Sequence, residues 1–389
     1  MAIETLDRCD TGADAPAHAH AGAVPFVAAA YVLSRLCVLA GFAVAAAFQA
    51  GMSLARIPRL WDGRWYLRLV ASGYPHGVPE VAGKAAPSTL AFFPLFPLAV
   101  RLVSAVPGVS DAAAALVVSL ASGALAAFLV HLLADRLAGP AVARRATLLF
   151  CFFPGSIVFS LVYSEGLMIA LAAGCFLALG RRRWVLAGIL AGLATACRPN
   201  AVVLVGACAW AAVAAIRRQE AARGALAAPA LAVTGLAGFL AFLWLRTGEA
   251  GAWLRVQQDG WNQRVDFGRV LLNEVVWLLK SPFGDVERII VVVDLAVAVA
   301  GLVFLVQLVR RRALPPALVV YAAGVVALAS VYRVDVLRPR AVLAAFPLFI
   351  ALGERVSRRT LMVLVALGAV GLVVLPWYYS LPFASSSSP

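Results

Sequence analysis

The sequence has little charge and almost no lysine. Asp, Glu, Lys and Arg make up 13% of the 389 residues, about half of the ~25% usual in soluble domains. That excludes a cytosolic enzyme and a disordered regulator. Only Lys84 and Lys280 are lysines, so the basic character is carried by arginine. The six cysteines include no C-x-x-C pair, and Cys37, Cys151, Cys175, Cys197 and Cys208 lie in or beside apolar runs. Neither a disulfide framework nor a zinc site is implied. His18 and His20 fall in a polar tail, and His131 is a lone histidine near the end of an apolar run, where it reads as structural. There is no P-loop, dinucleotide fingerprint or D-x-D motif. The nearest approach, Asp285-Val286-Glu287, precedes an apolar run and reads as a solvated pair. No acidic cluster resembles a divalent-cation site, so neither a metal nor any other cofactor is expected.

What the chain does contain is apolar. AVILMFWYC residues make up 63%, with mean hydropathy +0.92. The net charge of +14 would suggest nucleic acid, but the basic residues separate apolar runs of membrane-spanning length. An all-α, polytopic transmembrane bundle fits both numbers. The runs lie near 24–50, 112–134, 146–163, 165–180, 184–198, 200–216, 226–246, 289–309, 315–332, 341–353 and 360–376. The first follows an acidic tail and is long enough to read as an uncleaved span, not a signal peptide.

Five arginine clusters occupy alternate short connections: Arg136, Arg144 and Arg145; Arg181 to Arg183; Arg217, Arg218 and Arg223; Arg310 to Arg312; Arg355, Arg358 and Arg359. The positive-inside rule makes these cytoplasmic. Residues 89–106 carry Pro94, Pro97 and Arg101 and read as a broken helix in the outer interface. About eleven spans of the cell membrane follow, with the N-terminus cytoplasmic. On this reading 1–23 is a disordered cytoplasmic tail and 24–380 one membrane domain, with outer loops at 51–111 and 247–288. Residues 381–389 form an extracytoplasmic tail. The unusual polar segments then share the outer face, which marks a site more often than solvation.

The most informative stretch is Trp61-Asp62-Gly63-Arg64-Trp65-Tyr66-Leu67-Arg68, closed by Gly73 and Pro75. The stop signal predicts a helix over 60–72, with Trp61 and Trp65 on one face, Asp62 and Tyr66 on a neighbouring one, and Arg64 four residues before Arg68. Asp62 reads either as a general base at the membrane surface or as a helix N-terminal charge balanced by Arg64. Arg35 lies within the first run and must face the bundle interior or a partner.

The run WDGRWYLRLVASGY followed by AFFPLFP is similar to the signature of the PIG-V family, the GPI mannosyltransferase 2 type of glycosyltransferase and its bacterial relatives. FPGSIVFSLVYSEGL, LAGLATACRPNAVVL, VQQDGWNQR and RAVLAAFPLFIAL continue it in family order. The resemblance implies a GT-C fold that transfers a sugar, mannose in the family, from a polyprenyl-phosphate carrier at the outer face. It makes Asp62 the catalytic base. The sequence departs from the pattern at Ala341, where relatives tend to carry tyrosine, and at Gly63, where a side chain is more usual and glycine would loosen the helix start.

The chemistry of the residues agrees. A lipid-linked donor leaves as a phosphate, and arginine forks suit its oxygens. The donor-phosphate candidates are Arg198, isolated at a span end beside Asn200, and Arg333, Arg338 and Arg340 around Asp335, with Arg340 favoured by the family match. Candidate substrate contacts are Trp61, Tyr66, Glu165, Asn200, Gln257, Trp261 and Arg264. Glu165 reads equally as a hydroxyl ligand or as the partner of an outer arginine. Trp253, Gln257 and Trp261 would share one face of a surface helix by i, i+4, i+8 spacing, as a sugar contact or an aromatic belt. The expected activity is an inverting, metal-independent hexosyltransferase acting on a lipid or glycan hydroxyl, embedded in membrane lipid. A lipid or solute transporter and an inactive GT-C assembly subunit are the alternatives.

Overall fold

The computed structural model describes residues 22–49, 51–265, 314–331 and 339–380, with positions 269, 273, 276 and 301. Arg333, Asp335, Arg338, Asp285, Glu287, the Arg310 to Arg312 cluster and nearly all of the 289–309 run lie outside the described residues.

The chain begins with α1 (Ala23–Phe48) and a 3-10 turn, Leu54–Arg59, then α2 (Asp62–Ser72). Gly73 ends α2 at φ +70°, a conformation open to glycine at no steric cost. A two-residue hairpin pairs β1 (Glu80–Val81) with β2 (Lys84–Ala85). The Pro-interrupted stretch then forms a 3-10 turn at Thr89–Ala91 and α3 (Leu95–Ser104), which starts directly after Pro94. Arg101 on α3 donates to the Val70 and Leu69 carbonyls at 2.8–3.3 Å, capping the C-terminal end of α2. The arginine that argued against a span is what fastens the two short helices together.

α4 (Asp111–Ala138) is capped by the Ser110 hydroxyl, and Gly139 at φ +82° turns the chain directly into α5 (Pro140–Phe152). α5 breaks at Pro154 into a 3-10 segment, Pro154–Ser160, bent by 72°. α6 (Glu165–Gly180), α7 (Trp184–Thr195) and α8 (Val203–Arg217) then run back and forth. They are followed by α9 (Ala227–Ala232) and α10 (Thr234–Thr247). α11 (Ala252–Arg255) passes into a π turn, Val256–Gly260. α12 (Pro316–Val331), α13 (Pro339–Ala344), α14 (Pro347–Arg355) and α15 (Arg358–Tyr379) complete the described bundle.

Small residues let these helices approach, as membrane bundles require. A Cβ on Gly235 would lie 1.9 Å from the Gly192 carbonyl oxygen, and one on Gly41 2.2 Å from that of Val373. α10 thereby seats on α7, and α15 on α1.

Among the described residues four helices are long and apolar enough to cross a membrane, or six if each of two bent pairs counts as one span. Several of the runs read from sequence correspond to short or bent helices among the described residues. α7, with 12 residues, spans only ~18 Å at ~1.5 Å per residue. The runs read as 146–163 and 226–246 are each bent, the first at the helix-breaking Pro154, the second by 41°.

Two ends of the bundle differ in kind. α6 runs from Glu165 to the Arg181 cluster, α7 returns toward Arg198, and α15 runs from Arg358 to Tyr379. Among the described residues, the cluster of Arg144 and Arg145 meets that of Arg355 to Arg359 where Arg145 bonds the Val356 carbonyl, and the Arg181 to Arg183 cluster meets the connection after α8 where Arg182 pairs with Glu220 at 3.4 Å. Arg144 there lies over Phe26 at the start of α1, whose ring neighbours His131. His131 is buried and bonds Thr147 at 2.9 Å, so it serves packing. Asp62, Glu165 and Arg198 lie at the opposite end.

Candidate active site

Asp62 is the first residue of α2, and the backbone delivers it under strain. Trp61, just before it, sits at φ +45°, a left-handed conformation that bulky residues rarely adopt. The Trp61 ring is held edge-on to Tyr379 at the end of α15, 5.7 Å between centroids. Strain of this kind costs ~1–3 kcal/mol and persists where the surroundings over-determine it. Gly63 does not loosen the helix start, as sequence suggested. It is buried, and a Cβ there would stand 2.3 Å from the Pro58 carbonyl oxygen, so glycine lets the preceding turn press against α2.

The carboxylate of Asp62 meets Arg340 at 3.4 Å, across 278 residues of chain. Arg340 opens α13, and Gly155 makes its approach possible. A Cβ on Gly155 would lie 2.4 Å from the Pro339 carbonyl oxygen and 2.9 Å from the Arg340 nitrogen. The Arg340 guanidinium also lies over the Tyr163 ring at 5.7 Å, a cation–π distance.

A second ion pair stands nearby. Arg198, after α7, approaches Glu165 at 3.0 Å and donates to the Ser164 hydroxyl at 3.1 Å. The Ser164 hydroxyl in turn shares a 2.7 Å hydrogen bond with Tyr66 on α2. A circuit therefore closes: Asp62 and Tyr66 one helical turn apart, Tyr66 to Ser164, the adjacent Tyr163 against Arg340, and Arg340 back to Asp62. Burial pushes the Tyr66 phenol well above its ordinary pKa, with Arg198 opposing and Glu165 adding, so it acts as a neutral hydroxyl.

The polar inventory here is incompletely satisfied. Both Glu165 oxygens lie outside hydrogen-bond geometry despite the close guanidinium, and Arg198 Nε and the Asn200 side-chain oxygen are buried without partners. Buried polar groups are rarely left so. Of the two readings open for Glu165, the structure realises the arginine partner.

The structure thus brings Asp62, Tyr66, Glu165, Arg198 and Arg340 together, with Asn200 two residues from Arg198 and Trp61 at the strained entry. Trp261 packs edge-on against Trp65 at 5.2 Å and Phe92 at 5.6 Å, behind α2. The stretch from Trp253 to Trp261 is a short helix, Ala252–Arg255, that widens into a π turn ending at Gly260, and Trp253 and Trp261 both pack against the cluster of Leu90, Phe93 and Phe239. Arg264 points to its own loop, 3.8 Å from Asp259 and largely exposed. Sequence reasoning missed Ser164 and Tyr163 as site residues. Their adjacency to Glu165 at a helix start was the only signal, and nothing in sequence pointed to Gly155.

No cluster of three or more His, Cys, Asp or Glu side chains suited to a metal occurs among the described residues.

With this geometry in hand, comparison with known proteins is informative. GPI alpha-1,6-mannosyltransferase 2 of Cricetulus griseus is 32% identical over 156 residues, 38% of this chain and 30% of that protein. The matched segment thus spans less than a third of that relative's length. The structure of ArnT from Cupriavidus metallidurans in the apo state superposes with TM-score 0.51 at 16% identity, covering 90% of this chain and 62% of ArnT. A second ArnT structure, bound to undecaprenyl phosphate, gives TM-score 0.47 at 15% identity, over 77% and 56%. The likeness to the apo ArnT structure supports the multi-helix fold expected from sequence. The family model for mannosyltransferase (PIG-V) matches residues 24–243, more than half of the 389 and including Asp62, Glu165 and Arg198. The chain belongs to the mannosyltransferase (PIG-V) family.

Proposed function

We propose that this membrane protein transfers a hexose, mannose by family membership, from a polyprenyl phosphate to a hydroxyl of a lipid or glycan acceptor at the extracytoplasmic face. The observation that carries the reading is the pairing of Asp62 with Arg340, at the end of the bundle opposite the short arginine clusters.

Asp62 takes the proton of the acceptor hydroxyl as that oxygen forms its bond to the anomeric carbon. The bond from that carbon to the phosphate oxygen breaks, and its electron pair leaves with the polyprenyl phosphate. Attack from the face opposite the phosphate inverts the centre. Charge grows on the phosphate as the bond lengthens, and preorganised cations lower that barrier. Arg340 supplies one by exchanging Asp62 for a phosphate oxygen, which frees the carboxylate for the proton. Arg198, with its unpartnered Nε, supplies the second, held in place by Glu165 and Ser164. Two guanidinium groups perform the charge stabilisation that a divalent ion performs elsewhere, so turnover is expected to survive dialysis against EDTA.

Arg35 weighs against a transport pathway. The mid-span charge donates to the Ser156 and Cys151 carbonyls and to the hydroxyls of Ser34, Ser156 and Ser160, leaving it fixed as a structural bolt.

Membranes carrying the protein and radiolabelled polyprenyl-phosphate mannose test the reading. A positioned base contributes ~10²–10⁴-fold, so Asp62→Asn is expected to lose transfer by that factor while keeping its detergent elution profile. Wild-type turnover by Asp62→Asn would overturn the base assignment. Use of a soluble nucleotide sugar in place of the lipid donor would overturn the donor class.

A further inference from the structure

On α2, Asp62 and Tyr66 face the site described above, while Arg64 and Arg68 lie roughly 200° and 240° around the helix from Asp62, at ~100° per residue. Both arginines are exposed, and with Trp65 they line a cavity of about 280 Å³. Their guanidinium carbons converge on the Trp65 ring at 5.7 and 5.1 Å. The ring itself is pinned from behind, stacked on Phe92 at 6.3 Å and edge-on to Trp261 at 5.2 Å. Among the described residues neither Arg64 nor Arg68 has an ion pair or a hydrogen bond; the acid between them and the membrane domain, Asp62, is engaged by Arg340.

Like charges one turn apart repel and destabilise a helix. Here they are also drawn onto one aromatic platform, which fixes two planar forks beside a single cavity. Such an arrangement suits an anion with several oxygens, and a phosphate matches the bidentate geometry of arginine. Arg56 and Arg59 extend the same basic character along the preceding turn, and exposed Phe48 and Leu54 place this segment where α1 leaves the apolar layer. Basic residues at that level attract anionic lipid surfaces.

We propose that Arg64, Trp65 and Arg68 form a binding site for the phosphate of an anionic membrane phospholipid, separate from the site containing Asp62. The lipid head group neutralises the paired arginines and anchors α2, and with it Asp62, at the membrane surface.

The test uses the full-length protein in nanodiscs of phosphatidylcholine with 10% phosphatidylglycerol, and native mass spectrometry to count retained phosphatidylglycerol. Each arginine near an anionic surface is worth about fivefold, so Arg64→Gln with Arg68→Gln is expected to weaken retention on the order of 25-fold. Arg64→Lys with Arg68→Lys keeps the charge without the stacked fork and is expected to fall between the two. Retention of phosphatidylcholine stays constant in all three proteins, which separates loss of the site from loss of the fold. Equal phosphatidylglycerol retention by wild type and the glutamine pair would overturn the site. Displacement of the lipid by millimolar inorganic phosphate would overturn the lipid assignment in favour of a soluble anion.

Discussion

Two arginine centres in this protein, Arg35 buried and Arg198 half-buried, have opposite characters. Arg35, inside α1, is saturated: carbonyls and hydroxyls of residues 151–160 receive it, and Tyr31 and Phe159 flank it at 5.2 and 5.6 Å. No carboxylate is among these partners. Around Arg198, at the polar end, carboxylate and guanidinium face each other, yet Glu165 and Arg198 Nε keep hydrogen-bonding capacity unused. A saturated buried cation fixes one packing arrangement. An unsaturated one has capacity left for a substrate, and low dielectric makes that capacity strong.

The largest expected effect that sharpens this contrast is on catalysis, the 10²–10⁴-fold loss in Asp62→Asn; Arg35 variants should lack any such loss in the molecules that remain folded. Next is the Arg198–Glu165 pair. Breaking a buried pair costs ~3–5 kcal/mol, so Glu165→Gln and Arg198→Met each lower the thermal midpoint sharply. The double variant, scanned alongside, should be less destabilised than the sum of the two, and strict additivity would show that they are not coupled.

Arg35→Met removes the guanidinium that donates to the Ser156 carbonyl and to the Ser156 and Ser160 hydroxyls, at ~1–3 kcal/mol for each buried group left unsatisfied. Its thermal midpoint should fall while the specific activity of the folded fraction holds; loss of activity without loss of stability would place Arg35 in the reaction. Gly155→Ala forces a Cβ against Pro339 and moves Arg340. Overpacking of this kind costs ~1–3 kcal/mol, and the revealing readout is transfer rate, which should drop further than the stability does. Tyr66→Phe removes one hydrogen bond worth ~0.5–1.5 kcal/mol. It should be the mildest change, seen as a small rise in donor KM if Ser164 and Arg198 relax together.

Much of this site was legible beforehand because its signals are local. Asp62 stands in a dense run of tryptophan, tyrosine and arginine. Arg198 and Glu165 are isolated charges at the ends of apolar helices, where an unneutralised charge is costly. Gly73 and Pro75 marked the end of α2 correctly, since positive φ and a missing N–H are properties of single residues. The widening of the helix after Trp253 was not legible, for the complementary reason. Spacing assumes a constant helical period, and a π turn changes that period without a distinctive sequence.

Composition and the placing of arginines determined a great deal unaided: a helical membrane bundle, two chemically different ends, and the residues worth watching. Hydrophobic length and charge cost act through the surrounding solvent, so they can be read one segment at a time. Tertiary structure alone decided which charges meet. Asp62 and Arg340 are 278 residues apart, and their pairing depends on Gly155 having no side chain to hold α13 away. It also set the 41° bend between α9 and α10, whose break no proline marks. Electrostatic partnership is a property of distance in space, and packing sets that distance.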